Sequence, residues 1–426
     1  MGRVLISNSP RTGSIAKSDT SSARQYGDFV TQKRIAFFTG NYDLVPDGVA
    51  RTLGRLVSHL KDTGSDAIVV APTRGAPSSE HRGTLLSVPS IPAPGRSEYR
   101  ISLGLPRSVR GSLASFRPTL FHIATPDFLG SRALRLAQRC GIPVVASYHT
   151  HFCSYLKYYR LEEFEGFLWK YLRRFYRQCR HVYVASQSMA AVLQTHEINR
   201  GLRLWERGVD TSLFNPRRRS LAWRRSLGIS EVDPLLTFVG RAVWEKGLAV
   251  FAEVVRALEN QGIPHRSLVV GDGPALAALR ERLSNTVFTG FLDGPMLARA
   301  YASSDVLLFP SDTETFGNVT LEAMASGVPT ICADATGSSS LVVHEVTGFL
   351  APPAEVPYFA DYSTRLITDW QLRRRMGEAA RRQALRYDWN TALARIVSYY
   401  DEILNPRIDS AQLATPPLCD AAGPAG

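Results

Sequence analysis

The chain has 426 residues, of which 44% are hydrophobic, and its formal net charge is +12. This length exceeds what one hydrophobic core usually organises, so we expect two domains. The sequence has no run of about 18 apolar residues and no CxxC spacing among its five cysteines, so we expect neither a transmembrane helix nor a cysteine metal site.

The first half of the chain alternates between strand and helix patterns. Residues 1–32 are rich in Ser, Thr, Gly and Arg and predict a flexible tail. The short apolar run 34–39 fits a buried parallel strand, and residues 49–64 then place apolar side chains on one helical face. Further strand-like runs lie at 67–71, 120–124, 144–149 and 181–186. Such alternation is typical of βαβ units in a parallel, doubly wound sheet.

A basic linker that begins near residue 215 separates this half from a second α/β series. The strand-like runs of that series lie at 235–240, 267–274, 287–291, 306–311 and 328–333. Ligands of such sheets bind at the carboxyl ends of the strands, so we expect a cleft between two domains. The predicted units are a first domain at 33–215, a second at 216–388, a helix across the domain junction at 389–404 and a disordered tail at 405–426.

The excess of positive charge favours an anionic partner: nucleic acid, an anionic membrane surface or a phosphorylated small molecule. A nucleic-acid-binding protein would need a recognisable module, and the sequence contains none, so we expect no nucleic acid. Residues 157–181 mix Lys and Arg with Phe, Trp and Tyr. This segment is either a solvated helix whose aromatic stripe packs into its own domain, or a basic aromatic face on anionic lipid with Arg173, Arg174 and Arg177 towards the membrane.

The segment at 311–329, SDTETFGNVTLEAMASGVP, is the most informative in the chain. A strand is predicted to end before it, and a helix is predicted to begin near Phe316 and Gly317, with Asn318 in its first turn. The first backbone N–H groups of a helix lack intrahelical partners, so they form a ready site for a diphosphate at the cleft.

Two glutamates flank this helix start. Glu314 lies just before the helix, and Glu322 lies within it, eight residues further on. Two carboxylates so spaced can bracket a nucleotide sugar, one near the sugar hydroxyls and the other near the ribose diol. On these residues alone, a second interpretation is equally good: Glu314 interacts with the dipole of the helix, and Glu322 is a solvated helix residue.

The segment ETFGNVTLE is similar to the E-x7-E signature of family 4 retaining glycosyltransferases, and AMASGVP continues that pattern. The other family-like segments, in chain order, are PDGVARTL, YHTHF, RLWERGVDTSLFNP, GRAVWEKGL and VVGDGP. The resemblance covers residues 34–404. It implies an α/β fold of the GT-B type, in which two Rossmann-like domains face a central cleft, and a retaining hexosyltransferase with a nucleotide-sugar donor.

The resemblance also implies roles for individual residues. Glu314 is assigned to the sugar hydroxyls, Glu322 to the ribose, and His149 to the donor sugar near the reacting carbon. Arg241 and Lys246 match an arginine–lysine pair, and two fixed cations there would stabilise the charge of a departing diphosphate.

Gly48, Gly273 and Phe291 complete the predicted donor-binding set. Gly48 permits close approach of the backbone to the phosphates, although Asp47 replaces the first of two glycines that the family often has there. Gly273 and Phe291 are placed at the nucleoside. Because no DxD-type carboxylate pair follows a strand, we expect catalysis without a metal, and no cofactor beyond the nucleotide sugar, which is a substrate.

Within family 4 the chain resembles mannosyl-, glucosyl- and sulfoquinovosyl-type transferases that act on lipids or lipid-linked glycans. This implies GDP-mannose or a UDP-hexose as donor and a lipid or glycan as acceptor. A sugar-nucleotide epimerase with the same architecture is the alternative, although the E-x7-E segment with both cations favours transfer. We expect a cytoplasmic protein, with peripheral attachment to the inner face of the cytoplasmic membrane as one arrangement.

Overall fold

The computed structural model describes residues 32–405, except positions 46, 76–83, 94–95 and 160. Apart from Gln32 and Asn405, the tails predicted at 1–32 and 405–426 lie outside the described residues. None of the described helices combines the length and the apolar character needed to cross a bilayer.

Most strands of the first half form one parallel sheet. The strands of the described first half are β1 (Arg34–Phe38), β2 (Asp66–Pro72), β3 (Thr84–Val88), β4 (Ser90–Ala93), β5 (Arg96–Ser102), β6 (Leu120–Ile123), β7 (Val144–Tyr148), β8 (His181–Val184) and β9 (Leu202–Leu204). The sheet has the order β3-β2-β1-β6-β7-β8-β9, and every neighbouring pair is parallel. The remaining two strands, β4 and β5, pair with each other in an antiparallel hairpin. The sequence predicted no strands in this Pro- and Gly-rich region.

Helices cover both faces of this sheet. They are α1 (Gly48–Asp62), α2 (Arg107–Phe116), α3 (Phe128–Cys140), α4 (Phe152–Leu156), α5 (Glu165–Tyr176) and α6 (Gln187–Thr195). Asp47 caps α1, because its carboxylate accepts hydrogen bonds from the backbone N–H groups of Val49 and Ala50. The apolar stripe of α1, which includes Leu53 and Leu56, is fully buried in the core.

The second half repeats this architecture. Its strands are β10 (Leu235–Val239), β11 (Arg266–Val270), β12 (Thr286–Gly290), β13 (Val306–Phe309), β14 (Thr330–Ala333) and β15 (Gly348–Ala351), in the order β12-β11-β10-β13-β14-β15, and all their pairings are parallel. Its helices are α7 (Leu221–Ser226), α8 (Leu248–Asn260), α9 (Leu276–Arg282), α10 (Gly294–Ser303), α11 (Asn318–Ala325), α12 (Ser338–Leu341), α13 (Val356–Thr368) and α14 (Trp370–Ala384). The prediction of two doubly wound parallel sheets is confirmed.

The last helix, α15 (Trp389–Leu404), returns to the first sheet. Ile396 and Tyr400 are completely buried among core residues of that sheet. The Tyr400 hydroxyl lies 2.6 Å from Nδ1 of the buried His122, and Lys33 forms a 2.8 Å ion pair with Asp401. The last described helix therefore packs against the first half of the chain. The domain limits at 215 and 388 stay predictions.

Candidate active site

The start of α11 lies just beyond the carboxyl end of β13. The residue before the helix, Gly317, has a φ of 97°, a left-handed conformation that glycine adopts without steric cost. Because glycine has no side chain to cap the helix, the first N–H groups can bind an anion. The helix begins at Asn318, one residue after the predicted start. The Phe316 side chain is buried against Tyr387, so only its backbone can contribute to a donor site.

Lys246 and Glu314 form an ion pair in front of this helix. Lys246 Nζ lies 2.5 Å from Glu314 Oε1, and both side chains are largely buried, with about a fifth of their surface exposed. Gly247 brings the two together, because a Cβ at this position would lie 2.5 Å from the carbonyl oxygen of Pro310. The loop after β10 therefore packs directly against the end of β13. Two residues assigned to the site from separate motifs are in contact.

Arg241 follows β10 and makes its contacts with the other half of the chain. Its guanidinium forms an ion pair with Glu98 and lies 5.5 Å from the centre of the Tyr99 ring. The Tyr99 hydroxyl donates to Asp47 Oδ2 over 3.4 Å, which links the same hairpin to the cap of α1. Glu98 and Tyr99 lie on β5, in a region where the sequence contained no motif. These two residues are additions to the predicted site.

Gly48 is the point where the starts of α1 and α11 approach each other. A Cβ at Gly48 would lie 2.8 Å from the side-chain nitrogen of Asn318. The sequence predicted close backbone approach here, to the donor phosphates. In the structure the neighbour is Asn318, itself assigned to the donor. The two helix starts thus face a common space.

Glu322 lies one turn further into α11, and the residue is half-buried. The Tyr301 hydroxyl donates a hydrogen bond to Glu322 Oε2 over 3.0 Å. Burial raises the pKa of Glu322 to about 7, although the Tyr301 hydrogen bond and the positive charges of Arg51 and Arg55 lower it. Both arginines lie on α1, so the first half of the chain supplies charge to a residue of the second. Sequence reasoning did not single out Arg51, Arg55 or Tyr301.

His149 is buried at the end of β7. Its Nδ1 atom lies 2.5 Å from Arg207 Nη2, and its Nε2 atom has no hydrogen-bond partner among the described residues. Burial lowers the pKa of His149 well below its ordinary value, and the positive charge of Arg207 lowers it further. The backbone carbonyl of His149 accepts a 2.8 Å hydrogen bond from the hydroxyl of Thr315, the neighbour of Glu314. His149 is therefore adjacent to the Lys246–Glu314 region.

Arg207 is a buried cation that sequence reasoning did not assign to the site. It is only 5% exposed, and burial lowers its pKa to about 9. The guanidinium lies 4.5 Å from the centre of the Trp205 ring and donates to the Trp205 carbonyl over 3.2 Å. The signal was present in the family-like segment RLWERGVDTSLFNP, which contains Arg207.

Gly273 and Phe291 lie at the carboxyl ends of β11 and β12. A Cβ at Gly273 would lie 2.4 Å from the carbonyl oxygen of Ala242, so this glycine packs against the loop that carries Arg241. The Phe291 side chain is 57% exposed. Both residues therefore lie at the carboxyl edge of the second sheet, the edge that also carries the cations and carboxylates of the candidate site.

The three arginines assigned to a membrane face lie on α5 and just after it. Arg173 and Arg177 both pair with Glu197, at 3.1 and 3.2 Å, whereas Arg174 is exposed. Of the aromatic residues that the lipid-face interpretation would place on the membrane, Trp169, Phe175 and Tyr176 are instead buried in the core of the first sheet, so that interpretation is wrong for these three. Phe167, by contrast, is 74% exposed. Most of the aromatic stripe thus packs into its own domain.

Comparisons with known families agree with this geometry. Residues 46–213 match the family described as Glycosyltransferase Family 4, and residues 220–383 match Glycosyl transferases group 1. The first match includes α1 and most of the first sheet. The second includes the whole second sheet with Arg241, Lys246 and both glutamates of the E-x7-E segment.

Individual relatives extend the agreement over most of the chain. The sulfoquinovosyl transferase SQD2 of Arabidopsis thaliana is 32% identical over 357 residues, which cover 82% of this chain and 69% of the plant protein. A GDP-mannose-dependent alpha-mannosyltransferase of Mycolicibacterium smegmatis is 34% identical, covering 88% of this chain and 98% of the relative. Sucrose-phosphate synthase of Thermosynechococcus elongatus shares the fold, with a TM-score of 0.73 at 20% identity over 87% of this chain and 99% of that chain. The protein belongs to glycosyltransferase family 4.

Proposed function

We propose that this protein is a retaining hexosyltransferase that moves a hexosyl group from a nucleotide sugar to a hydroxyl group of a lipid or glycan. The observation that carries the proposal is the Lys246–Glu314 ion pair in front of the uncapped start of α11. A cation and a helix start bind a diphosphate, and an adjacent carboxylate binds sugar hydroxyls. Phosphate and sugar are thus recognised side by side.

The departing nucleoside diphosphate gains negative charge as the bond to the sugar carbon breaks. Lys246, Arg241 and the first N–H groups of α11 are fixed positive groups at this place, so they stabilise the transition state more than the ground state. Arg241 is paired with Glu98. A donor diphosphate would therefore replace the Glu98 carboxylate on this guanidinium.

Retention follows from attack on the face that the diphosphate leaves. The acceptor oxygen forms its bond to the anomeric carbon as the bond from that carbon to the diphosphate oxygen breaks. The proton of the acceptor hydroxyl passes to the departing diphosphate oxygen, so no protein base is consumed. Glu314 and His149 are assigned to hydroxyl groups of the transferred sugar, where they hold the reacting carbon in place.

The relatives support the choice of donor and acceptor. The relative from Mycolicibacterium smegmatis is named as GDP-mannose-dependent, and the plant relative is named as a sulfoquinovosyl transferase. An alpha-monoglucosyldiacylglycerol synthase of Streptococcus pneumoniae is 25% identical over 74% of this chain. GDP-mannose or a UDP-hexose is therefore the proposed donor, and a lipid or glycan at an anionic membrane surface is the proposed acceptor.

A donor screen tests this function. Purified protein is incubated with single nucleotide sugars and a membrane lipid extract, and both nucleoside diphosphate release and labelled lipid are measured. We expect one donor to give acceptor-dependent release, a glycosylated product with the anomeric configuration of the donor, and loss of both in the Glu314→Gln variant. Epimerised free sugar nucleotide without any glycosylated product would refute the proposal and identify the epimerase alternative.

A further inference from the structure

An open pocket on the first half of the chain lies between α2, α3 and the end of β5. Its volume is about 390 Å³, and its lining combines four arginines with apolar side chains such as Leu103 and Leu105. The arginines are Arg110, Arg132, Arg135 and Arg139. None of the lining residues belongs to the active site described above, so transfer chemistry does not explain this concentration of charge.

Three of the four arginines project from a single helix. Arg132, Arg135 and Arg139 lie on α3 at spacings of three and four residues, which places them on one helical face, and Arg110 comes from α2. Among the residues that the structure describes, none of these four guanidinium groups forms a salt bridge with a carboxylate. On α5, in contrast, Arg173 and Arg177 share Glu197. Within the described residues, the four pocket arginines are thus without a carboxylate partner, whereas one carboxylate offsets part of the charge of the arginines on and after α5.

Exposed apolar side chains lie directly beside these cations. Leu103 is 55% exposed, Phe128 is 44% exposed, and Ile101, two residues before Leu103, is 44% exposed. Phe128 belongs to the same surface, because Arg132 lies 4.9 Å from its ring centre and a Cβ on the pocket residue Gly104 would lie 3.4 Å from the ring. A soluble phosphate compound requires the cations alone. Cations next to exposed apolar groups match a bilayer surface, where phosphates and acyl chains meet.

We propose that this pocket binds the phosphate headgroups of an anionic phospholipid bilayer while Leu103 and Phe128 enter the interfacial region. Guanidinium groups bind phosphate oxygens in a bidentate manner, and their planar shape suits a shallow pocket. The inference deepens the proposed function, since it names the surface through which the protein meets a lipid acceptor. It assigns membrane contact to the pocket between α2 and α3 and not to the arginines near α5.

Two matched triple variants test the location. Both remove three positive charges from the same half of the chain: Arg132→Gln, Arg135→Gln and Arg139→Gln in one, and Arg173→Gln, Arg174→Gln and Arg177→Gln in the other. Co-sedimentation is measured with vesicles of phosphatidylcholine alone and of phosphatidylcholine with phosphatidylglycerol. We expect the native protein to bind only the anionic vesicles, and the α3 triple to bind them about a hundredfold more weakly.

The α5 triple should change this partition coefficient by less than about fivefold, because Arg173 and Arg177 are held in ion pairs with Glu197, whose charge offsets one of the three, and no exposed apolar pocket lining is removed. Loss of binding in the α5 triple with normal binding in the α3 triple would overturn the assignment. Equal binding of the native protein to neutral and anionic vesicles, or to neither, would also overturn it.

A third variant separates the bilayer from a soluble phosphorylated ligand. Leu103→Ser with Phe128→Ser leaves every arginine in place, and it should weaken vesicle binding about tenfold or more through lost apolar contact. Normal vesicle binding by this variant, together with competition by inorganic phosphate, would instead identify a soluble anion and overturn the proposal. Nucleoside diphosphate release from the donor in detergent should be unchanged in all three variants. This assay tests the transferase function independently of membrane binding, so the two proposals can fail separately.

Discussion

Nδ1 of the buried His149 accepts a hydrogen bond from Arg207 Nη2 over 2.5 Å. A guanidinium has only donors, so Nδ1 must be the acceptor. A neutral imidazole then carries its proton on Nε2, the ring nitrogen without a partner among the described residues. Arg207 therefore orients His149 as a hydrogen-bond donor and keeps it uncharged, which makes it a positioning residue for the assigned sugar contact.

The pH dependence of catalysis tests this relationship. Burial is the main cause of the lowered pKa of His149, and the positive charge of Arg207 lowers it further, so Arg207→Met raises that pKa, and the ring gains its proton at a higher pH than in the native protein. We expect the acidic limb of kcat/KM against pH to move to higher pH, and a separate loss of about tenfold at pH 7 because the ring is no longer held in its orientation. Arg203→Met is the control, because Arg203 is less buried and pairs with Glu402. An unchanged acidic limb in Arg207→Met would contradict the assigned role.

Lys246 and Glu314 are expected to be indispensable for turnover. Lys246→Ala removes the charge assigned to the departing diphosphate, and Glu314→Gln removes the carboxylate assigned to the sugar hydroxyls. Each should lower kcat/KM at least about a hundredfold, or roughly 2.7 kcal/mol. Circular dichroism should show the fold retained. Glu345→Gln, which breaks an exposed 3.7 Å pair with Arg365, is the matched control and should keep the native rate. Near-native turnover in either site variant would mean that the residue is wrongly assigned.

Nucleoside diphosphate binding should depend on the ionisation of Glu322. Burial raises its pKa to about 7, so the carboxylate assigned to the ribose diol is mostly protonated at pH 6 and mostly ionised at pH 8. Affinity should therefore rise about tenfold over this interval. Calorimetric titration of the native protein and of Glu322→Gln separates this effect from the ionisation of the ligand itself. The variant should bind more weakly at pH 8 and lack the tenfold change; the same pH dependence in both proteins would exclude Glu322 as its source.

Two glycines of α1 should respond differently to a methyl group. A Cβ at Gly48 would lie 2.8 Å from Asn318 Nδ2, whereas a Cβ at Gly54 has nothing within 4 Å. Gly48→Ala should displace the Asn318 side chain and raise KM for the donor several-fold. Gly54→Ala should stabilise the protein by up to about 1 kcal/mol through helix propensity, with native kinetics. Donor kinetics and thermal melting of both variants check this, and equal KM values would show that the Gly48–Asn318 approach has no part in donor binding.

Catalysis should survive exhaustive chelation of metal ions. Arg241, Lys246 and the start of α11 are assigned the charge stabilisation that a metal ion supplies in other transferases. We expect most of the activity to remain after treatment with EDTA. Activity that disappears and returns with magnesium or manganese would overturn this part of the mechanism.

Local patterns in the sequence were enough to predict the order of strands and helices and part of the candidate site. Alternating apolar strands and amphipathic helices predicted two doubly wound sheets, because the spacing of apolar residues that distinguishes a strand from a helix is visible within a few neighbouring residues. The strand–turn–helix pattern around Glu314 and Glu322 was likewise readable, since both residues lie within one short segment. The strands β4 and β5 were not predicted, because prolines and glycines interrupt their apolar pattern and each strand is stabilised by pairing with the other.

Contacts between residues far apart in the chain could not be predicted from the sequence. Arg241 contacts Glu98, 143 positions away, and His149 contacts Arg207, 58 positions away. No local pattern encodes such contacts. His149 and Arg207 meet because each follows a strand of the same parallel sheet, whereas Glu98 reaches Arg241 from the antiparallel β4–β5 hairpin. Burial was likewise decided by packing: it raises the pKa of Glu322 and turns most of the aromatic stripe of α5 inward. Local periodicity specifies which face of a helix is apolar, whereas the surfaces packed against it determine what that face touches and which charges remain exposed to a partner.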